Sequence, residues 1–241
     1  RDLAMNVALP ELDGRLLSRA VGFKSAPRRH PLTHAMTTYE AVPERAAFVA
    51  KLAAGWARLR SLQAGDRRVA LIMANYPNRD GRLANGVGLD TPESVFAAMR
   101  SLADAGYGVA GLPDDSAALI AQMKEGPTNA GWRGRVSDVS LPLEIYRAQF
   151  ASLPETVRDA VTERWGAPAD DPMCDGERFH VPLRRYGNLI VGIQPARGYN
   201  IDPKATYHSP DLVPPHNYFA LYVWLREVFG VHAVVLSLIH I

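Results

Sequence analysis

Several things are scarce in this chain. It has one cysteine, Cys174, among 241 residues. One thiol excludes an internal disulfide framework and a thiolate metal cage. There is no apolar run near the roughly 20 residues that a membrane-spanning helix needs. Neither charge sign dominates: 27 basic residues stand against 25 acidic ones. That balance gives no electrostatic reason to invoke nucleic acid or an anionic membrane. There is no phosphate-cradling P-loop. Gly86-Val87-Gly88 follows an apolar run but lacks the third glycine and the short spacing of a dinucleotide fingerprint. The expectation is a soluble, cytoplasmic protein in a reducing compartment.

Apolar residues make up 47% of the chain, enough for a real core. Val42 to Leu62 carries apolar residues at helical spacing, and Gly65-Asp66 breaks it. No clear strand pair is read in residues 1–65, which are taken as a helical linking segment. From Arg67 the character changes. Val69 to Ala74 is a continuous apolar run, the pattern of a strand buried on both faces. Thr91 is expected to cap a helix with Pro92 at its first position. Tyr107 to Pro113 reads as a second strand, which would complete a βαβ unit. Helices are expected at Ser116–Lys124, at Leu143–Trp165 with a break at Pro154, and at Asn217–Phe229. Strands are expected at Phe179–Leu183, Leu189–Ile193 and Val231–Val235.

The resulting fold class is α/β: a parallel-rich, Rossmann-like sheet flanked by helices, as a fragment of a larger multidomain chain. The α/β domain is placed at 66–235. Residues 236–241 are read as a non-native tail.

Two polar segments interrupt this pattern, 75–90 and 194–215, which are 16 and 22 residues long. Connections of that length within a compact domain favour a functional reading. If both preceding strands are parallel, both segments leave one carboxyl edge, where open α/β sheets bind ligands. The first holds Asn75, Tyr76, Arg79, Asp80 and Arg82. The second holds Gln194, Arg197, Tyr199, Asp202, His208 and Asp211, and His216 follows it. Arginine grips carboxylates bidentately, and tyrosine faces stack on flat rings. Imidazole with carboxylate suits divalent first-row metals, cobalt among them. Taken singly, His208 and His216 are also ordinary loop or cap residues.

These blocks carry a resemblance. Ala74-Asn75-Tyr76-Pro77-Asn78-Arg79-Asp80-Gly81-Arg82, with Asn85 to Pro92, resembles the large subunit of the ATP-dependent aerobic cobaltochelatases of the CobN type. Gly192-Ile193-Gln194-Pro195-Ala196-Arg197-Gly198-Tyr199, with Tyr207-His208 and Pro214-Pro215-His216, does so too. The likeness extends from Asn6 to about Val235. That family is related to the porphyrin-binding large subunit of magnesium chelatase, which is the alternative reading. A tetrapyrrole-binding scaffold without chemistry of its own is a further alternative.

The resemblance implies insertion of Co2+ into hydrogenobyrinic acid a,c-diamide in cobalamin biosynthesis. It also implies that ATP and Mg2+ are handled by separate AAA+ partner subunits, and that the isolated fragment is inactive. Within that frame, Asn75, Tyr76, Arg79, Asp80, Arg82, Gln194, Arg197 and Tyr199 are expected to hold the macrocycle. His216, His208 and Asp202 are expected to act in catalysis, and His208, His216 and Asp211 to handle the metal.

Overall fold

The structure, a computed structural model, describes residues 4–15, 18–25, 28–30, 33–75, 83–84, 88–137, 139–198 and 211–237. The chain separates into two compact units, Arg1–Ser61 and Leu62–Ile241.

Among its described residues, the first unit contains a short helix α1 (Leu9–Leu12) and four short strands: β1 (Gly22–Lys24), β2 (Arg28–His30), β3 (Thr33–Met36) and β4 (Tyr39–Ala41). β1 pairs antiparallel with β4, and β2 with β3. These pairs correct the expectation of a purely helical segment. Three- and four-residue strands are too short to show a period-2 signal. Helix α2 (Pro43–Ser61) follows, as the apolar spacing predicts. None of its residues is fully buried, and Arg19 lies over the Phe48 ring at 3.8 Å.

The second unit is built on a four-stranded mixed sheet. Its strands are β5 (Val69–Met73), β8 (Leu183–Tyr186), β9 (Leu189–Ile193) and β10 (Ala233–Ser237), in spatial order β10-β5-β9-β8. The first three neighbours run parallel, and β8 is antiparallel to β9. Before β8 come helices α3 (Thr91–Asp104), α4 (Ser116–Glu125), α5 (Leu143–Ala151) and α6 (Glu155–Trp165). A small antiparallel pair is formed by β6 (Ser140–Pro142), which precedes α5, and β7 (Arg178–His180), which follows α6. Helix α7 (His216–Val223) links β9 to β10 and continues as a π-helical turn, Trp224–Phe229.

The alternation along the central strands explains the continuous apolar runs. Ala70, Ile72 and Ile190 face a core with Tyr146 of α5 and Leu221 of α7. Val69, Leu71, Met73, Val191 and Ile193 face the opposite core, with Phe96 and Met99 of α3 and Leu119 of α4. Every residue of β5 and β9 is buried. At ~25 cal/mol per Å² of apolar surface, burial on both faces makes this pair the anchor of the unit.

Four further expectations need correction. Tyr107–Pro113 is not a strand. Only Val109 forms an isolated bridge, to Gly187. Gly106 and Gly111 adopt positive φ (80° and 67°), which breaks extended backbone, and Pro113 lacks a ladder donor. The parallel neighbours of β5 are therefore β9 and β10, both distant in sequence. The 179–183 strand is two, β7 and β8, separated around Pro182. Thr91 is inside α3. The cap is Asp90, whose Oδ1 accepts the Glu93 N–H at 3.1 Å. Finally, β10 lies two residues later than expected, so Leu236 and Ser237 pair with Ile72 and Met73 in the sheet.

Candidate functional site at the carboxyl edge of the sheet

The parallel register Met73↔Ile193 puts the ends of β5 and β9 side by side. The Gln194 N–H donates to the Met73 carbonyl at 2.9 Å. Both long polar segments therefore leave one edge of one sheet from adjacent strands, as the sequence predicts. Of their residues, Tyr76, Arg79, Asp80, Arg82, Tyr199, Asp202 and His208 lie outside the described residues. Asn75, Gln194, Arg197, Asp211 and His216 are described.

Asn75 lies two residues past the end of β5 and is buried. Its Oδ1 accepts the Ala84 N–H at 3.3 Å. Ala84 is fully buried with φ 57°, a left-handed conformation that costs a non-glycine residue about 1 kcal/mol or more. The Asn75 carboxamide thus holds the first segment's backbone in a strained turn. Its Nδ2 is buried without a partner among the described residues. A buried unpaired donor costs about 1–3 kcal/mol, which makes it a candidate for a missing acceptor.

The second segment is pinned at both ends. At its start, Asn129 Nδ2 donates to the Gln194 carbonyl at 3.0 Å, and Asn129 Oδ1 accepts the Ala196 N–H at 3.1 Å. Gln194 Nε2 donates to the Tyr218 hydroxyl at 3.0 Å, tying the start of the segment to α7. At its end, Asp171 Oδ2 accepts the Asn217 N–H at 3.0 Å, and Asp171 Oδ1 accepts the Met173 N–H at 2.8 Å. Trp165 Nε1 donates to the Val213 carbonyl at 2.7 Å. Arg197 is half-buried, and Asp211 is exposed in a turn.

His216 does not fit the metal-binding role expected of it. It is fully buried at the start of α7. Its Nε2 lies 3.0 Å from the Gly166 carbonyl, and its Nδ1 lies 2.8 Å from the Tyr146 hydroxyl. A carbonyl only accepts, so Nε2 carries the proton and Nδ1 accepts from Tyr146. Both ring nitrogens are used inside the core. Burial pushes the imidazole below its ordinary range, outweighing the Gly166 hydrogen bond and the Asp171 and Asp170 carboxylates that act the other way. Burial, with Asp171 nearby, pushes the Tyr146 hydroxyl up. The pair is thus held neutral. His216 fixes where the second segment rejoins the fold, and it offers no lone pair to a metal. Among the described residues, no group of three His, Cys, Asp or Glu side chains is placed to hold a metal ion.

Sequence reasoning missed Tyr146, Asp171 and Asn129. Tyr146 sits on an apolar helix face, where its pattern is that of any core aromatic. Asp171 belongs to the Pro- and Asp-rich turn at 167–176, and Asn129 to the break after Gly126-Pro127. Turn composition marks both places without revealing that their side chains reach across the fold.

Comparison with known proteins adds a second line. The CobN/Magnesium Chelatase family model matches residues 1–237. The chain is 51% identical over 236 residues to the aerobic cobaltochelatase subunit CobN of a Sinorhizobium species, covering 98% of this chain and 18% of that protein. It is 29% identical over 235 residues to the chloroplastic magnesium-chelatase protein ChlH of Oryza sativa, covering 96% of this chain and 16% of that one. The solved catalytic subunit of cobaltochelatase from Mycobacterium tuberculosis superposes with a TM-score of 0.80 at 37% identity. That match covers 98% of this chain and 20% of the other. The chain thus spans about a fifth of the length of these relatives.

Proposed function

The chain belongs to the CobN/magnesium chelatase family, and from that premise we propose that it is part of a cobaltochelatase large subunit whose sheet edge holds a corrin-type macrocycle. The whole subunit would insert Co2+, a substrate of the reaction, into hydrogenobyrinic acid a,c-diamide. AAA+ partner subunits would hydrolyse ATP with Mg2+. The observation that carries this reading is the parallel β5–β9 pair, from whose adjacent ends both motif segments emerge.

Metal insertion requires a held and distorted ring, removal of two pyrrole protons, and a partly desolvated metal. Arg79, Arg82 and Arg197 have the chemistry to grip ring carboxylates, and Tyr76 and Tyr199 to stack on its face. The unpaired Asn75 Nδ2 and the side chain of Gln194 are suited to ring oxygens, with Asp80 bracing the arginines. Asp202, His208 and Asp211 remain the candidates for proton removal and metal delivery. His216 and Tyr146 act as positioning residues.

Identity near 50% to cobaltochelatase subunits, against 26–29% to magnesium-chelatase subunits, supports cobalt over magnesium. Reconstituting the full-length subunit with its ATPase partners tests the reading. Cobalt insertion into the corrin precursor is the expected outcome. Preference for Mg2+ and a porphyrin would overturn it. A second reading is favoured by His216, whose two ring nitrogens are both committed inside the core: this portion holds the ring, and the metal chemistry is supplied from elsewhere in the subunit. Absorbance titration of the 241-residue chain separates the two. Ring binding without insertion when cobalt is added favours the holding module.

A further inference from the structure

The second motif segment is pinned by two turns whose side chains reach across the fold, and residues of those turns line a cleft of about 360 Å³. One wall is the 129–135 turn, with Asn129, Trp132, Arg133 and Arg135. The other is Pro172-Met173. Asn129 binds the segment's first residues at Gln194 and Ala196. Asp171, immediately before the second wall, binds Met173 on one side and Asn217 at the segment's end on the other. Asn129 of the first wall is thus hydrogen-bonded to the start of the segment that carries Arg197, Tyr199 and His208, and Asp171, beside the second wall, to Asn217 just past its end.

The lining of the cleft is fixed by its own contacts. Trp132 Nε1 donates to the Pro172 carbonyl at 3.0 Å, which joins the two walls. The Trp132 indole stacks on the His180 ring at 4.1 Å, nearly parallel. His180 Nε2 is in turn 2.8 Å from Asp175 Oδ2. Arg135 Nη1 donates to the carbonyls of Lys124 and Gly126, both at 3.2 Å, which fixes its guanidinium at the base of the turn. Arg133 is exposed, with its guanidinium carbon 5.3 Å from the Trp132 ring centre. Both charged residues of the lining are arginines, and among the described residues no acidic side chain lines it.

A volume at the low end of ligand pockets accommodates part of a large ligand. Two guanidinium groups beside a fixed indole match a carboxylate-bearing arm on a flat ring. Resting on the reading of the sheet edge as a macrocycle site, we propose that this cleft is a subsite for a peripheral carboxylate of the macrocycle, with Arg133 as the gripping residue and Arg135 and Trp132 as the frame.

The test uses the full-length subunit and two probes, hydrogenobyrinic acid a,c-diamide and its methyl ester, titrated by absorbance. Arg133→Ala is expected to raise the Kd of the acid about tenfold or more, the scale of a charge-assisted hydrogen bond. Arg133→Lys recovers part of that loss, and the ester binds wild type and Arg133→Ala alike. Equal weakening of acid and ester overturns the assignment, because the loss is then not carboxylate recognition. So does an unchanged Kd for the acid. Unchanged ring binding with loss of ATPase co-purification also overturns it, in favour of an acidic protein segment as occupant. If the wild-type subunit binds neither probe, the macrocycle reading of the sheet edge falls and the subsite falls with it. The other outcomes leave that reading standing.

Discussion

Tyr146→Phe removes one oxygen atom from a fully buried site and separates two accounts of His216. In the structure, the Tyr146 hydroxyl donates to His216 Nδ1 at 2.8 Å, and the opposite nitrogen is committed to Gly166. Phenylalanine keeps the ring packing of Tyr146 against Phe179 at 4.7 Å and Phe150 at 5.7 Å. What is lost is the hydrogen bond, and what remains is a buried acceptor with no donor. That costs about 1–3 kcal/mol. For a unit of this size, 1 kcal/mol shifts Tm by about 2–4 °C, so a fall of roughly 2–12 °C is expected in a melt of the chain followed by circular dichroism. His216→Ala strands both the Tyr146 hydroxyl and the Gly166 carbonyl and leaves a cavity, so its loss is larger. The double variant should lose less than the two singles added together, with a coupling of about 0.5–3 kcal/mol. A metal-ligand role for His216 predicts the opposite: unchanged melts for both single variants, with loss of cobalt insertion in the His216 variant alone. That result would refute the positioning role.

Other expectations follow from the same contacts. Because burial depresses the His216 pKa, the unfolded chain takes up a proton near pH 6.5 that the folded chain refuses. Stability should therefore be full above that pH and fall below it, by at most about 1.4 kcal/mol per pH unit. Melts between about pH 7.5 and 5.5, either side of the ordinary histidine pKa, check this. An unaltered slope in His216→Gln would assign the effect to another group. Asp90→Ala removes the cap of α3 and is expected to cost about 1 kcal/mol, read by urea denaturation, with Asp90→Asn close to wild type. Gly192→Ala puts a methyl group against Leu183 Cδ2 and within 3.0 Å of Ile72 Cδ1. A loss of about 1–3 kcal/mol by the same assay is expected.

What was legible in the sequence depended on the range of the interaction that fixes each feature. β5 and β9 were readable because burial on both faces writes an unbroken apolar run into five consecutive residues. α2, α4 and the break at Pro154 were readable for similar local reasons. The identity of β5's neighbours was not. A run such as Tyr107–Pro113 has strand composition, and only glycines at positive φ and a proline take it out of the ladder. The candidate site divides in the same way. Its location followed from two long segments after two recognisable strands. The role of His216 did not, because a histidine's chemistry is decided by what its two nitrogens touch. Here those partners lie 50 and 70 positions away.

That division bears on the role proposed for the edge of this sheet. Several described residues that brace the second motif segment sit outside the motifs: Asn129, Asp171, Tyr146 and Trp165. Their contacts fix both ends of the second segment to within hydrogen-bond tolerance, while Asn75 fixes the return of the first through Ala84. If the proposed macrocycle reading holds, groups that grip a flat acidic ring are best held before the ring arrives, because ordering them on binding would subtract from affinity. A substitution at Asn129 should therefore weaken ring binding without touching the ring. A substitution in the segment itself should alter which ring is chosen. On that reading, Asn129, Asp171 and Trp165 position the second segment from outside it, while Asn75 and His216 are motif residues whose contacts are also structural.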